Sequence, residues 1–133
     1  MLDSSIAFAW VYSEETSADV QRVFDLLVED FAWVPSHWRL EVANVLEIGL
    51  RKGRSDGSFR DAALADLALL PIQSDLETDR QAWGATRQLA EKHRLSLYAA
   101  AYLELALRRN LPLATLDSDL WAAAGLEDVS VLG

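Results

Sequence analysis

The chain has 133 residues, 51% of them apolar and 25% charged, which suits one domain with a buried core and excludes intrinsic disorder, collagen-like repeats and a multidomain enzyme. It contains no cysteine, so disulfide scaffolds, thiolate nucleophiles and cysteine zinc sites are excluded, an intracellular setting is the simplest expectation, and oxygen ligands must carry any metal chemistry. Twelve basic against twenty-one acidic residues give a net charge of −9, which argues against passive nucleic-acid binding through a broad basic surface; an RNA or DNA function needs a local basic rim or metal ions.

Residues 1–5 form a candidate strand. The apolar run that follows, 6–12, is too short to span a membrane and has no basic segment before it, which predicts a soluble, cytoplasmic protein. Thr16 or Ser17 caps a helix whose apolar positions Val20, Val23, Phe24, Leu27 and Val28 share one face. A short β-like run at 31–34 leads through Pro35-Ser36 into a helix reaching about residue 51, with a core stripe at Trp38, Val42, Val45, Leu46 and Gly49. The Arg51-Lys52-Gly53-Arg54 stretch stops it. A third helix at 57–70, a brief run at 71–73 and a fourth helix at 77–93 follow. Ser96 caps a strongly apolar helix at 97–108, and 111–116 reads as a buried strand. Asp117 caps a short helix that Gly125 ends, and 129–132 is a last strand. With no internal repeat and no linker, residues 1–133 form a single domain. Short apolar strands alternating with helices predict an α/β fold, a parallel sheet covered on both faces.

In such a sheet ligands bind outside the carboxyl ends of the strands. Asp3 ends the first predicted strand and Asp117 the late one; each either shapes a turn or caps a helix, or stands at a site. Glu41 shares a helix face with His37, Asn44 and Ile48 beside the core stripe, placed for a structural ion pair or for a metal at the sheet edge, with Asn44 as its supporting partner. Glu104 and Arg108, four residues apart, read as a surface pair, and Tyr98 and Tyr102 as packing residues. His37 and His93 lack zinc-type spacing and a neighbouring serine nucleophile, which assigns them to the surface or to local hydrogen bonds. Of the five tryptophans, Trp10 and Trp33 are expected at an interface. Basic residues gather at Arg51, Lys52 and Arg54, at Arg87, Lys92 and Arg94, and at Arg108 and Arg109, as helix C-termini or as a phosphate-binding rim. No phosphate-cradling glycine loop is present.

Four segments, taken together in their order and spacing, carry a resemblance over essentially the whole chain. They are Leu2-Asp3-Ser4-Ser5, Glu41-Val42-Ala43-Asn44-Val45-Leu46, Leu95 to Ala106 beginning Leu-Ser-Leu-Tyr, and Leu113-Ala114-Thr115-Leu116-Asp117-Ser118-Asp119-Leu120. The chain resembles the PIN-domain family, specifically the VapC-type toxins of bacterial toxin–antitoxin pairs. The resemblance implies a three-layer α/β/α fold with a central parallel sheet of about four to five short strands. It implies an endoribonuclease dependent on Mg²⁺ or Mn²⁺, usually a homodimer, acting on tRNA or another structured RNA in the bacterial cytoplasm and held inactive by a VapB-type antitoxin. Its catalytic acids would be Asp3, Glu41 and Asp117, with Asp119 joining them around the metal and Ser4, Asn44 and Thr115 in support. The family's remaining acidic position, directly after the Tyr of the Leu-Ser-Leu-Tyr segment, is Ala99 here. Loss of one carboxylate weakens a site for a hard cation and removes a group that orients water, so impaired activity is expected. Engineered inactivation accounts for Ala99 better than natural loss, because the surrounding segment fits the family. The rival expectation is a non-catalytic PIN-like module that binds RNA or a protein partner. A phosphoacceptor domain is disfavoured: its pattern has paired acids early and a lysine late, whereas the last lysine here is Lys92.

Overall fold

The computed structural model describes residues 1–12 and 16–132, and among these it contains eight helices and four short strands. Helix α1 (Ser4–Val11) follows the first residues directly and is apolar almost all round, burying Ile6, Ala7 and Ala9. The expected strand at 1–5 is therefore cut short: only Leu2 makes a ladder contact, a parallel bridge to Ala114, because the chain turns helical at Ser4. Helix α2 (Ala18–Glu29) is capped by Ser17, whose hydroxyl accepts from the Val20 amide. Its face of Val20, Val23, Phe24 and Leu27 is buried, whereas Val28 is 72% exposed, beyond the edge of the stripe.

Strand β1 (Ala32–Pro35) feeds helix α3 (Trp38–Arg51), which starts two residues after Ser36 and buries Trp38, Val42, Leu46 and Gly49; Val45 is only partly covered. Helix α4 (Gly57–Ala68), capped by Asp56, ends before the expected residue 70 and leads to strand β2 (Ile72–Asp75). The helix expected at 77–93 is two pieces, α5 (Thr78–Gln81) and α6 (Ala85–His93), parted at Trp83-Gly84 where glycine lowers helix propensity. Helix α7 (Leu97–Arg109) is capped by Ser96, which accepts from the Ala99 amide, and residues 100 to 106 are all buried. Strand β3 (Leu113–Ala114) is shorter than the apolar run around it. Helix α8 (Ser118–Leu126), capped by Asp117, runs past Gly125, and strand β4 (Val131–Leu132) closes the described chain.

β1 pairs with β2 in parallel, Pro35 opposite Asp75, and β3 pairs with β4 in parallel. The residues before α1 join the two ladders: the Leu2 amide donates to the Trp33 carbonyl, the Ala114 amide to the Met1 carbonyl and the Asp3 amide to the Ala114 carbonyl. The order across the sheet is thus β2, β1, the 1–3 segment, β3, β4. The order reverses at the first segment, and α1 to α4 contact one another as one set while α6 to α8 form the other, so the sheet lies between two helical layers. This is the expected three-layer α/β/α arrangement.

Candidate active site at the carboxyl end of the sheet

The reversal of strand order opens a crevice at the carboxyl ends of the 1–3 segment and β3, and Asp3 lies in it, 5% exposed. Its Oδ2 accepts from the Thr115 hydroxyl at 2.6 Å and the Ser5 hydroxyl at 2.7 Å. Those hydroxyls in turn accept backbone amides from the loop after β3, Asp117 N to Thr115 Oγ1 at 3.0 Å and Leu116 N to Ser5 Oγ at 2.9 Å. Asp3 is therefore tied through two hydroxyls to the segment that carries Asp117. Burial pushes the Asp3 carboxyl above the usual carboxylate range against these two donors, and the negative charges of Glu41 and Asp117 push the same way.

Glu41 reaches the crevice from the first turn of α3. Ser4 Oγ donates to Glu41 Oε1 at 2.5 Å and stands 3.4 Å from Asp3 Oδ1, so it sits between the two carboxylates. Tyr102, buried in the middle of α7, donates its hydroxyl to Glu41 Oε2 at 3.3 Å. His37, one turn before Glu41, brings Nε2 within 3.3 Å of the same oxygen, but off the line of a hydrogen bond, which leaves Nε2 buried without a well-aligned partner. Burial opposes ionisation of Glu41, yet the His37 and Ser4 contacts outweigh it and hold the carboxyl below its ordinary range. The burial of the Tyr102 hydroxyl beside Glu41 and Asp3 pushes its pKa up, keeping it a donor.

Asp117 caps α8, its Oδ1 accepting from the Leu120 amide at 2.9 Å, and its charge is among those that push the Asp3 carboxyl up. Asp119 is exposed in the first turn of α8. Asn44 is exposed one turn beyond Glu41, where it lines an open cavity of about 660 Å³ together with His37, Leu40, Glu41, Ser96 and Tyr98. Ala99, third residue of α7, is spent on the helix cap through its amide and offers no ligand. The oxygen-only donor set suits a hard divalent ion in kind, but among the described residues no three acidic or imidazole side chains are placed to hold a metal together.

Several residues read otherwise from sequence change place here. Tyr102, expected in packing, also donates to Glu41, and His37 meets Glu41 one turn away on the helix face where their spacing put both. Ser5 emerges as an Asp3 partner. Glu104 and Arg108 are not a surface pair: Glu104 is 4% exposed, and Arg108 bridges it to the wholly buried Asp75. Arg109 also binds Asp75, and its guanidinium lies 3.5 Å over the Trp33 ring, so neither arginine serves as a phosphate rim. Trp10 stacks on Phe24 at 4.6 Å and Trp33 lies under the Arg109 guanidinium, and both tryptophans are partly buried. His93 is neither at the surface nor in a local bond: its side chain is 5% exposed and pairs with Glu127 at 2.7 Å, 34 positions along the chain.

A family model, the PIN domain, matches residues 1–126. The chain belongs to the PIN-domain family. The fold is shared with a solved structure: the crystal structure of PAE2754 from Pyrobaculum aerophilum superposes with a TM-score of 0.69 at 21% identity, covering 98% of this chain and 80% of the other. No curated protein matches the sequence significantly. Membership of the PIN family points to a nuclease-like function, and divalent metal ions are general in that family. No helix among the described residues is long and apolar enough to cross a membrane.

Proposed function

We propose that this PIN domain is the toxin of a type II toxin–antitoxin pair, an endoribonuclease that hydrolyses RNA phosphodiester bonds, tRNA foremost, in the bacterial cytoplasm and is held in check by a VapB-type antitoxin. The observation that carries the reading is the buried Asp3 at the point where strand order reverses, linked by the Ser4 hydroxyl to Glu41 and through the Thr115 hydroxyl to the backbone amide of Asp117. On the family's pattern Asp3, Glu41, Asp117 and Asp119 are the groups that would hold Mg²⁺ or Mn²⁺, with Ser4, Asn44 and Thr115 in support, and among the described residues no three such acids are gathered for a metal as they stand. In such a site a divalent ion lowers the pKa of a bound water and offsets phosphate charge, which a chain of net charge −9 needs near RNA. With Ala99 the donor set is short by one carboxylate, and this chain is an impaired form of the enzyme. A homodimer is the proposed assembly.

Ala99 also favours a second reading, a PIN-like module that binds RNA or a protein without cutting. One experiment separates them: Mn²⁺-dependent cleavage of total cellular tRNA by the chain and by its Ala99→Asp variant. Cleavage that appears or rises at least tenfold with Asp supports the disabled ribonuclease. Intact RNA with both folded proteins overturns it in favour of the binding module.

A further inference from the structure

His37 and Tyr98 line two open cavities at once. One is the cavity of about 660 Å³ on the Glu41 side; the other, of about 380 Å³, lies between the loop after β1, α5, α6 and α7, with Ser36, Asp79, Thr86 and Ala101 on its walls. The two rings stand 5.7 Å apart, tilted, and Tyr98 is 68% exposed in the first turn of α7, ahead of the buried stretch 100–106. Leu40, 77% exposed on α3, faces the larger cavity from the other side. The larger cavity also presents an amide, Asn44, beside the carboxylate of Glu41.

This combination selects its occupant. A phosphate cannot lie against the Glu41 carboxylate without a cation, whereas a neutral planar ring can, with an apolar wall at Leu40 and an aromatic one at Tyr98. Each volume is ample for a nucleobase. An amide such as Asn44 pairs a donor with an acceptor, which matches the N6 and N7 edge of adenine. We propose that Tyr98, backed by His37, is a stacking partition between two base subsites beside the acidic centre, and that Asn44 reads the base on the Glu41 side. The substrate is then unpaired RNA, because bases inside a helix present no free face to Tyr98. The backbone of such a strand would pass Arg94, exposed at the left-handed cap of α6 two residues before Ser96. The choice of RNA rests on the ribonuclease reading above; the stacking itself does not depend on cleavage.

The test is anisotropy binding of fluorescein-labelled hexaadenylate and hexauridylate RNA at low salt in EDTA, with a blunt RNA duplex of the same length as control. The chain is compared with Tyr98→Ala, Tyr98→Phe and Asn44→Ala, each checked for an unchanged melting curve. Tyr98→Ala is expected to weaken single-strand binding by about tenfold, Tyr98→Phe to restore it, and duplex binding to be weaker and insensitive to residue 98. Asn44→Ala is expected to erase a preference for hexaadenylate. Equal binding by the chain and Tyr98→Ala, or no single-strand binding by the chain at all, overturns the proposal. Cleavage by Ala99→Asp is scored separately: Tyr98-dependent binding without cleavage removes the ribonuclease reading and leaves the subsite, and cleavage without Tyr98-dependent binding does the reverse.

Discussion

Asp75→Asn tests how α7 is held while its first turns present Ser96, Tyr98 and Tyr102 to the site. Asp75 is wholly buried at the end of β2, where it accepts from Arg108 Nη1 at 3.1 Å and from Arg109 Nη2 at 3.0 Å and Nε at 3.2 Å. Removing one partner of a buried pair costs about 3–5 kcal/mol when the other charge is left unpaired. Here the arginines are not stranded: their side chains are 24% and 33% exposed, Arg108 keeps Glu104 at 2.6 Å and Arg109 keeps the Trp33 ring. The asparagine also retains one acceptor oxygen. The expected loss is therefore about 2–4 kcal/mol, or roughly 6–15 °C in Tm for a domain of this size. The pH dependence has a definite sign. Burial opposes ionisation of Asp75, but Arg108 and Arg109 hold its carboxyl below the usual range. Its contribution is thus complete above the ordinary carboxylate pKa and is lost as pH falls through the lower folded value. Thermal melts of both proteins between pH 8 and 3 should show the Tm gap full at neutral pH and shrinking in acid. A gap below about 2 °C at pH 7, or one that does not change with pH, would refute the reasoning.

The Asp3 carboxyl has the opposite sign: its raised pKa makes the ionised form a destabilising element above the folded value, so Asp3→Asn is expected to raise Tm at pH 7, with the advantage vanishing as pH falls below the ordinary carboxylate range. A lowered Tm at pH 7 contradicts this. A Cβ on Gly49 would stand 2.7 Å from the Tyr12 hydroxyl, which is buried with no hydrogen-bond partner among the described residues. Gly49→Ala should therefore cost about 1–3 kcal/mol in urea titration, and Tyr12→Phe should recover most of it in the double variant; full additivity would show that the hydroxyl is not the obstacle. Arg22→Ala removes an exposed pair with Asp19 and should change stability by less than about 0.5 kcal/mol in the same titration.

The fold was legible where local rules act. Helix caps at Ser17, Ser96 and Asp117 each place a side-chain oxygen on an amide three residues on, and such caps are readable from residue type and position. Strand lengths were not, because a ladder ends where its neighbour does: Leu113 and Ala114 pair only as far as Val131 and Leu132. In the site, Asp3 and Asp117 were visible at predicted strand ends and Glu41 on a helix face, and Ser4 and Thr115 through the family resemblance, while the part of Ser5 and Tyr102 was not. Tyr102 meets Glu41 across 61 positions and Thr115 meets Asp3 across 112, contacts that no periodicity encodes. The burial of Glu104 was hidden for the same reason, since its spacing to Arg108 fits a surface pair and only Asp75 from another strand converts it into an interior cluster.

Three acids at one end of a sheet, in a chain of net charge −9, have to be held in a fold where, among the described residues, no lysine or arginine pairs with them and only the His37 imidazole stands beside Glu41. Ser4, Ser5, Thr115 and Tyr102 do this, each donating a hydroxyl proton to Asp3 or Glu41. The carboxylates are held in place by neutral donors, so the fold does not require metal. The same donors occupy lone pairs that a cation would have to share, which makes a further unencumbered carboxylate decisive for binding. EDTA is accordingly expected to leave the Tm of the chain unchanged, and Mn²⁺ to raise it little. In Ala99→Asp, an ion at one hundred times its Kd adds about 2.7 kcal/mol, a shift of roughly 8–11 °C. A Tm lowered by EDTA in the parent chain, or raised equally by Mn²⁺ in both proteins, would mean that Asp3, Glu41 and Asp117 hold the ion without help from position 99.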